Sequence, residues 1–339
     1  MKVSDYNIDL EKVVNTINKN NYKRVLLQVP EGLKINFFKF VDFIEEKTKA
    51  NVIISADPCF GACDISSFGL NNLNIDIIVH IGHTSIPEIN NTQVHTIFVN
   101  AESILDLSRV IKKAISKING KKVGLLSTSQ HVHLLDTVKE ILIANNFIPI
   151  IGKGDNRIEL DGQILGCNFS AAKSILDEVD SFLFIGSGNF HPLGLSLITK
   201  KQVIACDPYT NMVREKELVD LKDMILRQRY GAIARSKDAK VFGIIVGTKI
   251  GQQRIDQAYK IKEELELKGK KSYVFSINHL SPIYLESFKE IDCYVSTACP
   301  RIAIDDYMQY KVPIITPIEL YILLGIKKWE DYKFDEILS

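Results

Sequence analysis

Six cysteines occur in this chain of 339 residues, and three of them share a setting that could serve one metal centre. Cys63 lies in "DPCFGACD", Cys167 in "GQILGCNFSAAK" and Cys299 in "VSTACPRIAIDD", each in a loop-like stretch beyond an apolar run of strand length. Thiolates are ligands for iron-sulfur clusters and for zinc. Three thiolates on one [4Fe-4S] core would leave one iron open to an exogenous ligand, whereas electron-transfer clusters complete their shell with four cysteines. Zinc is the rival metal, because three protein ligands and one open position make a catalytic zinc site. Plain burial is the third reading, since free cysteine behaves as a small hydrophobe. Local spacing does not choose among them: Cys59 and Cys63 form a lone C-x-x-x-C, and no compact C-x-x-x-C-x-x-C occurs. Burial is the preferred reading for Cys206 in "QVIACD" and Cys293 in "IDCYVS". Cys59 reads either as a spare thiol beside the centre or as part of a turn shaped by Asp57-Pro58 and Gly61.

The elements that must position these loops repeat along the chain. Strand-length apolar runs recur in the order "RVLLQV", "NVIISA", "IDIIVHI", "VHTIFV", then "KKVGLLS", "FIPIIG", "SFLFIG", "QVIAC", then "KVFGIIVG", "KSYVFSI", "DCYVST", "VPIIT". Continuous rather than alternating apolar runs predict strands covered on both faces, as in parallel sheets. Between them, "LKINFFKFVDFIEEKTKA", "AESILDLSRVIKKAISKI", "SQHVHLLDTVKEILIAN", "FSAAKSILDEVD" and "QQRIDQAYKIKEELELKG" carry apolar residues at helical spacing. The predicted architecture is α/β, with three similar domains, each a four-stranded parallel sheet flanked by helices, arranged around a central cluster site. The expected domains are 1–104 with Cys63, 105–212 with Cys167 and 213–339 with Cys299. A single larger doubly wound sheet is the alternative. Ligands of open α/β sheets collect beyond the carboxyl ends of the strands, so three units facing a common centre would unite cysteines distant in sequence.

Composition narrows the function classes. Hydrophobic residues make up 46% and charged residues 24%, a globular usage, and a net charge of +1 speaks against a polybasic surface for nucleic acid. The N-terminal "MKVSDYNIDLEKVV" lacks the apolar stretch of a secretory signal, and "VPIITPIELYILLGIKK" is interrupted by Pro317 and Glu319. The expectation is a cytoplasmic protein without membrane or direct nucleic-acid contact, whose cysteines are not a disulfide framework.

The segments "LLQVPEGL", "ADPCFGACD", "HIGHT", "STSQHV", "GQILGCN", "GSGNFHPLGL", "DPYT", "IIVGTKIGQQR" and "ACPRIAIDD" resemble, in this order, the archaeal diphthamide synthase family, the 2-(3-amino-3-carboxypropyl)histidine synthases. The resemblance runs from about residue 24 to about residue 320. It implies three α/β domains around a [4Fe-4S] cluster, in a homodimer, with Cys63, Cys167 and Cys299 as cluster ligands and catalytic residues. It implies cleavage of S-adenosyl-L-methionine between sulfur and the γ-carbon. The resulting 3-amino-3-carboxypropyl radical goes to C2 of a histidine in translation elongation factor 2, with methylthioadenosine as coproduct, and an external electron donor supplies the reductant. Quinolinate synthase, with an open three-cysteine cluster acting as a Lewis acid, is the alternative enzyme, and a metal-stabilised interaction module is the non-catalytic one.

For the cofactor, "VGTKIGQQ" is a glycine-containing turn between a strand and a helix, where backbone N–H groups could meet a carboxylate or ribose. Gly247, Thr248, Gly251 and Gln252 are candidates, with Gln28 and Gln130 at predicted strand ends. The competing reading is that such glycines serve turn geometry alone. Glu31 and His83 also lie at predicted strand ends, and Arg301 stands beside Cys299, where it could hold a carboxylate or pair with Asp305 or Asp306.

Overall fold

All twelve apolar runs are strands in the computed structural model, which describes residues 1–66, 70–89 and 92–339. In chain order, β1 (Lys2–Val3) and β2 (Tyr6–Ile8) precede β3 (Arg24–Gln28), β4 (Asn51–Ile54), β5 (Ile77–Ile81) and β6 (His95–Val99). After β7 (Ala101–Ser103) come β8 (Lys122–Ser127), β9 (Ile148–Ile151), β10 (Ser181–Ile185) and β11 (Gln202–Asp207). The last set is β12 (Met212–Arg214), β13 (Val241–Gly247), β14 (Lys271–Ile277), β15 (Cys293–Ser296) and β16 (Ile314–Ile315).

Three separate parallel sheets result, with orders β4-β3-β5-β6, β9-β8-β10-β11 and β14-β13-β15-β16. The spatial order is the same each time: second, first, third, fourth. In each sheet the chain reverses its direction of travel between the first and third strands, which is where open α/β sheets form a crevice. Continuous apolar sequence has the predicted meaning. In β10, Phe182 and Phe184 enter one core while Leu183 and Ile185 enter another across the sheet. In β13, Phe242, Ile244 and Val246 face one core and Ile245 the opposite one.

A polar device repeats with the topology. Asp76 accepts hydrogen bonds from the backbone N–H groups of Lys23 and Arg24 at 2.6 and 2.9 Å. Asp180 does the same for Lys121 and Lys122 at 2.7 and 2.9 Å, and Asp292 for Lys240 and Val241 at 2.8 and 2.9 Å. Each aspartate stands just before the third strand of its set and satisfies donors at the start of the first, which a strand end otherwise leaves open.

Several elements differ from the sequence expectations. Ala101–Ser103 is not the start of a helix: it pairs antiparallel with β2, and the helix begins at Ser108. "FSAAKSILDEVD" keeps only one helical turn, Ser170–Lys173, and continues through tight turns such as Glu178 N–H to Ile175 C=O at 3.0 Å. β12 adds an antiparallel fifth strand to β11, so the division proposed near residue 212 falls at the first residue of the second sheet's edge strand. The helix Lys216–Arg235 then joins two cores, through Leu218 and Ile225 in one and Ala232 in the next. Inside it, Arg229 is wholly buried against Glu319, with Nε to Oε1 at 2.8 Å and Nη2 to Oε2 at 2.6 Å. Among the described residues, no helix is long and apolar enough to cross a membrane.

Candidate functional site

The carboxyl ends of the three sheets open onto one cavity of about 460 Å³, and Cys63, Cys167 and Cys299 all line it. Cys63 and Cys167 follow the second strand of their sheets, β4 and β9, whereas Cys299 follows the third strand of its own, β15. The remaining thiols stand elsewhere. Cys206 and Cys293 are fully buried inside β11 and β15. Cys59 is buried outside the cavity lining, with Sγ 3.9 Å from His80 Nε2.

Contacts between the units fix the Cys63 loop. The Gly251 N–H donates to the Cys63 carbonyl at 3.2 Å, and a side chain on Gly251 would place its Cβ 2.4 Å from Cys63 Cβ. Only glycine permits that approach. Gln252 Nε2 donates to Cys63 Sγ at 3.4 Å, and Lys249 Nζ pairs with Asp64 Oδ2 at 2.6 Å. Arg157 ties all three units together: Nη2 donates to the Gly251 carbonyl at 2.9 Å and Nη1 meets Glu88 at 3.2 Å. The loop of Cys299 is held by Arg254, which donates to the carbonyls of Thr297 and Ala298 at 2.6 and 2.8 Å while paired with Asp335. The Ile337 N–H donates to the Cys167 carbonyl at 2.8 Å, so a C-terminal segment straps the third loop.

The electrostatics fit a metal or cluster rather than free thiolates. Burial raises the Cys63 thiol, against the pull of the Gln252 hydrogen bond. Burial also lifts Cys167 well above its ordinary range, reinforced by Cys63 and Cys299, and pushes Cys299 up to about 12. Thiols so placed stay protonated unless a cationic centre takes the protons' place. Arg157 and Arg254 favour the ionised form of Cys167, and Arg157 that of Cys63, but burial outweighs them at both thiols.

Of the six residues considered for a cofactor, Gly247, Gln252 and Gln130 line the cavity. Gly251 backs Cys63, and Thr248 is exposed, 3.3 Å from Asn278 Oδ1. Gln28 is buried, donating to the Asp64 carbonyl at 2.8 Å and accepting from the Ser66 N–H at 3.2 Å. His83 and Arg301 face the cavity, whereas Glu31 pairs with Lys34. Arg301 is buried over the Phe190 ring at 3.6 Å and meets Asp305 at 2.7 Å, yet its Nη1 has no hydrogen-bond partner among the described residues. Arg157 and Arg254 escaped the sequence reading: Arg254 closes the segment "IIVGTKIGQQR", but neither arginine carries a local signal of the loop it will hold.

An α/β protein built on three like parallel sheets, with one cysteine from each unit on a shared cavity, is the class that this fold and site define. Residues 29–333 match the family model described as a putative diphthamide synthesis protein. The chain is 37% identical to the 2-(3-amino-3-carboxypropyl)histidine synthase of Pyrococcus horikoshii, over 98% of this chain and 94% of that one. It is 34% identical to the protein of the same name from Methanocaldococcus jannaschii, over 98% and 93%. A crystal structure of Dph2 from Pyrococcus horikoshii with a 4Fe-4S cluster superposes with a TM-score of 0.89 at 36% identity, covering 98% of this chain and 94% of that one. The chain belongs to the diphthamide synthesis family.

Proposed function

We propose that this protein catalyses the first step of diphthamide formation, transfer of a 3-amino-3-carboxypropyl group from S-adenosylmethionine to C2 of a histidine in elongation factor 2. The observation that carries the reading is the meeting of Cys63, Cys167 and Cys299, one from each unit, on a single cavity. These three would hold a [4Fe-4S] cluster with one iron open. When bound and reduced by an external donor, the cluster supplies the electron that breaks the bond from sulfur to the γ-carbon of S-adenosylmethionine, releasing methylthioadenosine and the aminocarboxypropyl radical.

The protein's share is charge, orientation and exclusion of water. Gln252 directs an N–H at the Cys63 sulfur, where it lowers the electron density that an added electron must oppose. Arg301, with an unpartnered N–H buried beside Cys299, has the charge and planar fork to hold the methionine carboxylate. Gly247 and Gln130 line the same cavity from different units, where they position the rest of the cofactor. The protein acts as a homodimer in the cytoplasm, with elongation factor 2 as its macromolecular substrate, a reading that rests on the family.

Anaerobic purification, iron and sulfide counting and the dithionite-reduced EPR spectrum test this. Cys63→Ala, Cys167→Ala and Cys299→Ala are each expected to lose or alter the cluster signal, and Cys206→Ala to keep it. The wild type is expected to form methylthioadenosine from S-adenosylmethionine only with reductant. Zinc in place of iron, or quinolinate formation without reductant, would overturn the reading.

A further inference from the structure

We propose that Cys59, His80 and His83 form a second metal site, a mononuclear zinc site distinct from the three cavity thiols. Their ligand atoms all lie within 4.8 Å of one another. His80 Nε2 is 2.9 Å from His83 Nδ1 and 3.9 Å from Cys59 Sγ. Two imidazole nitrogens and one thiolate are a donor set that zinc accepts.

The surroundings prepare His80 for this. Gln28 cannot flip, because its Nε2 donates to the Asp64 carbonyl and its Oε1 accepts from the Ser66 N–H. That oxygen therefore accepts the Nδ1–H of His80 at 3.2 Å, which leaves the lone pair of Nε2 aimed at His83 and Cys59. An amide oxygen that orients the far nitrogen of an imidazole is the outer support that metal-bound histidines carry. Burial keeps both rings neutral, with His83 drawn down to about 4. Without metal, the His83 Nδ1–H serves as donor to His80. On zinc binding His83 moves its proton to Nε2 and Cys59 releases its thiol proton, so one proton leaves per ion. His83 lines the cavity, which gives the ion its entry and a water its place in the fourth position. The zinc would join the loop after β4 to β5 and so brace the turn that carries Cys63.

The test uses the full chain, purified anaerobically with its iron, incubated with zinc and passed through gel filtration with a weak chelator. One retained zinc per chain is expected, with zinc-edge X-ray absorption showing one sulfur at about 2.3 Å and two nitrogens at about 2.0 Å. Cys59→Ala and His83→Ala should each lower zinc retention at least tenfold without changing iron content. His80 is fully buried in a strand, so His83→Gln at a partly exposed position guards against loss by misfolding, with circular dichroism as the check. No retained zinc in the wild type, zinc bound by three sulfurs with loss of iron, or retention unchanged in the variants would overturn the site. Iron content reports on the cluster separately, so the two readings fail independently.

Discussion

Gln252 crosses from the third unit to the first and donates a hydrogen bond to Cys63 Sγ at 3.4 Å. The bond follows from the turn after β13, where the Gly251 backbone is already bonded to Cys63, so the next side chain meets the sulfur. Replacing Gln252 by leucine removes the N–H and keeps the bulk. Iron content should hold, the reduction potential should fall, and turnover should drop about tenfold, the scale on which outer-shell partners of metal sites act. Potentiometric EPR titration checks this, and an unchanged potential would refute it.

Gly251→Ala places a methyl group 2.4 Å from Cys63 Cβ and 2.6 Å from its Cα, both tied to backbone that cannot turn aside. Either loop must move. Overpacking of this kind costs about 1–3 kcal/mol. The variant should lose stability by that amount in a denaturant titration and bind iron below the wild-type level, whereas Thr248→Ala, at an exposed neighbouring position, should do neither.

Glu319→Ala leaves the Arg229 guanidinium fully buried with its counter-charge gone. Breaking a buried pair from one side costs about 3–5 kcal/mol. Arg229 also donates to the carbonyls of Ala303 and Ile314, so the damage spreads into the helix Pro300–Asp305 that follows Cys299. A denaturant midpoint within error of wild type would contradict this account.

The carboxyls of Asp180 and Asp292 are held below the usual aspartate range by the backbone N–H groups that they accept. A folded-state value lowered in this way contributes stability above the unfolded value of about 3.9, and that contribution is lost as the pH falls through the folded value. Melting temperature should therefore fall below about pH 4. The slope should be shallower in the double variant Asp180→Asn and Asp292→Asn, whose amides cannot titrate. Both groups are exposed, so the effect is small and fades in salt.

The strands were legible because burial on both faces of a parallel sheet demands apolar residues at consecutive positions, and a run such as "SFLFI" meets that demand locally. β1, β2, β7 and β12 were not, since two or three residues such as "AES" carry no period, and only a partner distant in sequence makes them strands. The triplication itself could be read as pattern. Its shared strand order and its three aspartates, each bonded to a strand start more than fifty residues away, emerged only from the folded chain.

The sequence by itself determined the α/β class, the three sets of strands and the three loops that bear Cys63, Cys167 and Cys299, because each is written in neighbouring residues. The resemblance at "GAC" singled out Cys63 over Cys59, but nothing local to the turn says how two thiols four positions apart come to differ. Tertiary structure separated them: the turn buries Cys59 against His80, while Gly251 and Gln252 of the third unit press Cys63 toward the cavity. Which sulfur faces the shared centre is a matter of where other units stop, and no local pattern records that distance.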